Sequence, residues 1–226
     1  MLIGALTDGR KVVLAVESGQ RESKESWGAV LRDLRARGLQ PWRCTIADGH
    51  LGIWAALAEQ QPAAAEHRCW NHRITNVLDA IPIKHQAQAR TLVCAMPYAE
   101  SQVACEELRA QFAKRYSQLA PQAVERLAAD GERLVTFDQC PREPWRHLRT
   151  TNIVASPFAA VRLRTTAAKR FKKVDSATAL IWKLLQVAEQ TFRRLNAPAL
   201  LPAVYAGAKY VDGIKQVAVN HQEVAA

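Results

Sequence analysis

A mixed α/β fold with a long helical segment inside it is what the sequence predicts, on three observations. Residues 1–80 alternate short apolar, β-branched runs with helix-period segments, in the order hairpin, helix, strand, helix, strand. From Asn71 to about Arg149 the pattern turns helical almost throughout, with Pro82, Pro97, Pro121 and Pro141 as punctuation. The 226 residues are 49% hydrophobic and 23% charged, a globular composition too apolar for intrinsic disorder.

The chain opens on two apolar runs joined by Asp8-Gly9. That pair favours a two-residue type I′ hairpin turn, in which both central residues need positive φ. Ser23 then caps a helix whose Trp27, Val30, Leu31 and Leu34 fall at i, i+3, i+4 and i+7, with Gly38 as its stop. Such a stripe is expected to lie on a sheet. Residues 42–47 (WRCTIA) read as a short buried strand ending at Asp48-Gly49. A helix through Ile53, Trp54 and Leu57 follows, and a second short strand covers His67 to Trp70. Beyond the helical segment come the polar turn Thr150-Thr151-Asn152 and a basic amphipathic stretch from Val161 to Lys173. A helix then opens at Ser176, with Leu180, Ile181, Leu184, Leu185 and Ala188 on one face. A short helix around residues 199–208 precedes a loose tail. The predicted organisation is a partial sheet with its helices over 1–80, a helical insertion over 81–149, core helices with the basic stretch over 150–210, and a tail over 211–226.

Lys and Arg number 31 against 21 Asp and Glu, a net charge of +10 that favours an anionic partner, nucleic acid first. No apolar run approaches the ~20 residues of a membrane span, and MLIGALTDGR lacks the basic start and apolar stretch of a signal peptide. The expectation is a cytoplasmic protein without membrane contact. Five scattered cysteines, Cys44, Cys69, Cys94, Cys105 and Cys140, read as free thiols rather than a disulfide framework.

Asp48 is the most suggestive single position: a carboxylate at the C-terminal end of an apolar strand, where α/β sheets hold ligands and metals. The alternative is an ordinary helix N-cap. Cys69-Trp70-Asn71-His72 spaces a thiol and an imidazole as C-x-x-H, half of a zinc site with no second pair to complete it. The plainer reading makes Cys69 a small buried hydrophobe and His72 part of a first helical turn. Arg162, Arg164, Lys169, Arg170, Lys172 and Lys173 put six cations in twelve residues, either a phosphate-binding surface or a solvated helix face. The six tryptophans are mostly core candidates.

Read together, these segments resemble the mutator-type transposases of bacterial insertion sequences. The matching stretches are RESKESWGAVLRDLRARGL, DGHLGIWAAL with Asp48, EHRCWNHRITNVLDAIP with Cys69 and His72, CPREPWRHLRTTN, FAAVRLRT from Phe158, and RRLNAPALLPAVYAGAKY. The resemblance implies an RNase H-like fold with a helical insertion and a D-D-E triad holding two Mg²⁺ or Mn²⁺ ions. Two metals about 4 Å apart activate the attacking oxygen and stabilise the leaving one during DNA cleavage and strand transfer. It makes Asp48 the second aspartate and the metal ligand among these positions. Cys69 and His72 become the family's C-x-x-H signature, with His72 a residue that orients a metal ligand or contacts DNA, and Asn152 belongs to the T-T-N turn. The implied partners are DNA, as transposon ends or bound non-specifically, and another copy or a full-length transposase. The implied location is the bacterial cytoplasm, at the nucleoid.

Two departures stand out against this resemblance. The family's first aspartate lies on a strand just upstream of the hairpin with which this chain begins, and Asp8, at the hairpin tip, is no substitute. The family's glutamate follows the turn in a pattern like T-T-N-P-I-E-S, whereas here Thr150-Thr151-Asn152-Ile153-Val154-Ala155-Ser156 puts Ala155 at that position. One carboxylate of three binds a metal pair weakly, so the expectation is a copy that does not cleave DNA alone; the alternatives are a DNA- or transposase-binding remnant that acts as a regulator, and an inert fragment. The family's region that reads transposon ends is expected N-terminal to this segment, so binding is expected to be non-specific and salt-sensitive. In the RNase H-like sheet the upstream strand is central. Without it, the flanking strands either pair directly or leave open edges, at a cost of order 10 kcal/mol in lost burial.

Overall fold

The computed structural model describes residues 1–19, 22–167 and 170–216. Among them the fold is mixed α/β and rich in helix, with three separate two-stranded sheets. Strands β1 (Leu2–Ala5) and β2 (Lys11–Ala15) form the antiparallel hairpin that opens the chain. Its turn is not the predicted one: Gly9 has φ 82° but Asp8 keeps negative φ, and the Gly9 N–H donates to the Leu6 carbonyl (2.9 Å). This is a three-residue loop with glycine in the left-handed position, the other common hairpin solution. The Asp8 carboxylate accepts from the Arg10 N–H (2.9 Å) and Nε (2.6 Å), which closes the tip.

Helix α1 (Lys24–Ala36) begins as predicted, with Ser23 and Ser26 exchanging capping hydrogen bonds, and ends at Gly38 with φ 95°. Its apolar face turns out to meet chiefly a helix, with one strand end beside it. Leu31 packs with Ala47 of β3 (Cys44–Ala47) and with Ile53, Trp54 and Leu57 of α2 (Leu51–Gln60). A Cβ at Gly52 would lie 2.8 Å from the Glu22 carbonyl oxygen, so glycine there lets the two helix starts approach. β4 (Ala65–Arg68) pairs with β3 in parallel, Ala47 opposite Arg68.

The principal core is helical and lies between α3 (Trp70–Leu78) and α8 (Trp145–Leu148). Into it pack α4 (Ile83–Ala95), α5 (Gln102–Tyr116), α6 (Pro121–Ala128) and α7 (Gly131–Val135). Val77, Val93, Phe112 and Leu134 are wholly buried there, and the Trp70 ring N–H donates to the Leu134 carbonyl (2.8 Å). Pro82 precedes α4 and Pro121 occupies the first turn of α6, places where a missing N–H costs nothing. A smaller core joins Val13 of β2 to Val161 of α9 (Asn152–Ala167) and Leu185 of α10 (Val174–Glu189), ringed by partly buried Met1, Ile3, Phe158 and Trp182.

After α11 (Leu201–Tyr205) the predicted tail is not loose at its start. β5 (Tyr210–Val211) and β6 (Ile214–Lys215) form a second hairpin, whose Asp212 (φ 49°) and Gly213 (φ 76°) make the two-residue positive-φ turn expected at Asp8-Gly9. Residues 217–226 of that tail lie outside the described residues.

Neither β1 nor β2 pairs with β3 or β4, so both sheets keep open edges. The outer strands are blunted by side chains. The Val13 N–H of β2 donates to Glu189 Oε2 (2.5 Å), the Leu14 carbonyl accepts from Arg37 Nη2 (3.0 Å), and the Glu66 carbonyl of β4 accepts from Thr136 Oγ1 (2.7 Å). Among the described residues no side chain bonds to the main chain of β1 or β3.

Candidate functional site

Because β3 and β4 are parallel, both end at one edge and send α2 and α3 away from it. Such an edge presents side chains on a rigid frame. Asp48 is the first residue beyond β3 and is exposed. It does not cap α2. His50 does, its Nδ1 accepting from the Gly52 N–H (3.2 Å), while Asp48 Oδ1 accepts from the His50 N–H (3.3 Å). The carboxylate is therefore presented by a tight turn and left open to solvent.

The C-x-x-H segment grips the Thr150-Thr151-Asn152 turn. Cys69, 1% exposed, donates its N–H to the Ala47 carbonyl (2.8 Å), which ties the two strand ends together. Its Sγ accepts from the Thr151 N–H (3.2 Å) and hydroxyl (3.3 Å), and that hydroxyl stands 3.5 Å from His72 Nδ1. The i, i+3 spacing puts Cys69 and His72 on one helix face, where both reach the same threonine. Asn71 Nδ2 donates to Asn152 Oδ1 (2.9 Å), and the Trp70 N–H donates to the Arg149 carbonyl (3.0 Å). The Thr151 carbonyl accepts from the Val154 (2.8 Å) and Ala155 (3.0 Å) N–H groups that open α9. Ala155 thus stands one turn beyond the grip, exposed, linked through Thr151 and Cys69 to the strand end that carries Asp48.

Arg149, just before the turn, sits among three aromatic rings, Tyr98 (4.8 Å), Phe137 (5.2 Å) and Trp145 (5.4 Å). Burial pushes its guanidinium pKa down, with Tyr98 and Asp138 opposing. Asp138 is pushed up to about 6 by burial first and Asp212 second, against the pull of Arg149 and Arg142.

Sequence reasoning passed over the charged cluster behind Asp48. Arg68, the last residue of β4, and Arg73 of α3 are buried, and both face Asp130, the residue before α7. Burial lowers Arg68, which Asp48 and Cys69 partly restore; burial, Arg68 and Arg126 bring Arg73 down to about 10. The usable signal was the strand Ala-Glu-His-Arg itself, too polar to be buried unless each charge had a partner.

Of the predicted basic positions, Arg162 and Arg164 lie on α9, while Arg170, Lys172 and Lys173 lie between α9 and α10. All five are exposed, and no ion pair holds any of them among the described residues; Lys169 lies outside those residues. Ala155 is tied through Thr151 and Cys69 to the strand that ends at Asp48; among the described residues the basic positions form no bond to that edge. The zinc reading of Cys69 and His72 does not survive, since among the described residues no group of three His, Cys, Asp or Glu could hold a metal ion. At this edge Asp48 stands beside a cation, Arg68, and the described side chains by themselves do not fit a two-metal centre. All five cysteines are free thiols. Among the described residues no helix is long and apolar enough to cross a membrane.

The Asp48 strand end, the C-x-x-H grip and the T-T-N turn all fall within the part of the chain that matches one protein family. Residues 1–194 match the family model described as "Transposase, Mutator family", and the chain belongs to that family. It is 39% identical over 215 residues to the transposase for insertion sequence element IST2 of Acidithiobacillus ferrooxidans, covering 95% of this chain and 73% of that protein. It is likewise 39% identical over 217 residues to the transposase for IS6120 of Mycolicibacterium smegmatis, covering 94% of this chain and 66% of that protein. Against the transposase for ISRM5 of Rhizobium meliloti the identity is 29%, over 49% of the relative's length.

Proposed function

We propose that this chain is a DNA-binding member of the mutator transposase family, built on an RNase H-like frame, that does not by itself cleave or join DNA. The observation that carries this reading is Ala155. It stands at the family's glutamate position, on the first turn of α9, joined through Thr151 and Cys69 to the strand end bearing Asp48. A methyl group there offers no oxygen to a cation, and Arg68 rather than a second carboxylate neighbours Asp48. Two-metal chemistry needs oxygen ligands that also neutralise charge, and one carboxylate beside a guanidinium supplies neither in sufficient number.

DNA binding rests on the net charge of +10 and the unpaired cations Arg162, Arg164, Arg170, Lys172 and Lys173. These are exposed charges suited to phosphate contact, so their share of the binding follows salt. The bare main chain of β1 and β3 favours a second partner class, another copy or a full-length transposase that adds a strand.

Two assays test this. With Mg²⁺ or Mn²⁺ the purified chain is expected to leave supercoiled plasmid intact; nicking that disappears in Asp48→Ala overturns the reading. In a salt titration of duplex binding, exchanging the five cations for Gln is expected to flatten the log–log slope by up to about 4.5, at ~0.9 per phosphate. An unchanged slope removes that surface from the DNA site.

A further inference from the structure

The turn that presents Asp48 is held from behind by a guanidinium. Gly49 has φ 92°, and a Cβ built on it would lie 1.5 Å from Arg68 Nη1, 2.0 Å from Cζ and 2.5 Å from Nε. The Arg68 guanidinium therefore fills the space that any other residue at position 49 would occupy. Behind it, Arg68 Nε lies 3.4 Å from Asp130 Oδ2, and Nη2 donates to the Asn76 amide oxygen (3.1 Å), whose Nδ2 donates to the His72 carbonyl (3.2 Å). Asp130 also pairs with Arg73 and, at 3.6 Å, with Arg133 Nη1. One carboxylate is thus shared by three arginines. Arg68 Nε and Nη1 and Arg73 Nε are buried without a hydrogen-bond acceptor.

We propose that Arg68 is a positioning residue for Asp48, and that Asp130, at the foot of α7, sets its position. The guanidinium is the nearest wall against which the Asp48-Gly49 turn closes, and the carboxylate that holds it belongs to the helical region. A shift of α7 therefore moves Arg68, and Arg68 moves the turn. The shared carboxylate makes the device sensitive: with Asp130 divided among three cations, Arg68 is held by position more than by a saturated set of hydrogen bonds. The relevance of this arrangement rests on the family reading of Asp48, but its geometry does not.

The test uses the full chain and amide NMR, which reads the turn without any DNA chemistry. In Asp130→Asn the amides of Asp48, Gly49 and His50 are expected to shift and to exchange at least tenfold faster relative to core amides such as Val77 and Phe112. The slowly exchanging Arg68 Nε–H resonance is expected to move with them, and Asp130→Glu should restore part of both effects. From the other end, Gly49→Ala should displace the Arg68 Nε–H signal by putting a Cβ into the guanidinium. Uniform acceleration of all amides in Asp130→Asn, with no selective change at 48–50, overturns the proposal. An Arg68 Nε–H signal indifferent to Gly49→Ala does the same, and keeps the question decidable should Asp130→Asn fail to fold. Neither outcome bears on plasmid nicking or the salt slope, so the family reading stands or falls separately.

Discussion

Two buried titrating groups, His67 against the Phe137 ring and Asp138 next to it in the chain, shift in opposite directions, and replacing one should unmask the other. His67 is wholly buried and meets the Phe137 ring edge-on at 5.4 Å; Asp138 follows Phe137 and is 7% exposed. Burial pushes His67 from 6.5 down to about 4, with hydrogen bonds to the backbone at Arg149 and Arg133 opposing. The unfolded chain takes up that proton first, so stability is lost as pH falls from 6.5 through 4, by up to roughly 3 kcal/mol. Asp138 works the other way. Its folded carboxyl keeps a proton up to about pH 6 against 3.8 in the ordinary state, so stability is gained as pH falls from 6 toward 4, again by up to roughly 3 kcal/mol. The two nearly cancel, and the native chain should show a flat profile between pH 4 and 6.5. Asp138→Asn removes one side of the balance. The unfolding free energy from urea titration is expected to rise at pH 8, by about 1–3 kcal/mol as a buried charge is lost, and then to fall by roughly 3 kcal/mol on acidification to pH 4. A variant that is weaker at pH 8 and as flat as the native chain would refute the reasoning, and would mean that Arg149 and Arg142 fully compensate an ionised Asp138.

Phe112→Ala, at a fully buried ring stacked 4.7 Å from Tyr116, should cost about 3–5 kcal/mol in urea unfolding. Cys69→Ala leaves the Thr151 N–H and hydroxyl without their acceptor, and should cost about 1–3 kcal/mol while selectively speeding exchange of the Thr151 amide. Millimolar Mn²⁺ should leave the melting temperature of the native chain unchanged. Ala155→Glu, at an exposed site where substitutions change stability by about 0.5 kcal/mol or less, should make that temperature rise with Mn²⁺ by giving Asp48 a second carboxylate.

Where local chemistry decides the structure, the sequence was readable. The Ser23 cap, the Gly38 stop and the order of elements through β4 follow from hydrogen-bonding and φ preferences within a few residues. The Asp-Gly rule found the first hairpin and mistook its turn, because the choice between two- and three-residue loops depends on strand register, which Leu6 and Arg10 set here. The same rule applied to Asp212-Gly213 would have found the second hairpin, which is held by distant partners: Asp212 Oδ1 accepts from the Gln102 N–H (2.8 Å) and its carbonyl accepts from Arg142 Nε (2.9 Å). Periodicity showed that α1 has an apolar face, but period alone does not name what covers it. At the site, Asp48, Cys69 and His72 were visible as chemistry-bearing types. Arg68, Arg73 and Asp130 were not, because their pairing spans sixty residues of helix and exists only once α7 is packed.

The blunting of the outer strands also limits how copies of this chain can associate. A strand edge bare on both sides of a sheet recruits neighbours without end, whereas here Glu189 and Arg37 occupy the far side of the first hairpin and Thr136 that of the parallel pair. Two copies joined β1 to β1 across a twofold axis would make a four-stranded sheet already closed at both ends, so on that sheet self-association stops at a pair instead of growing into a fibre.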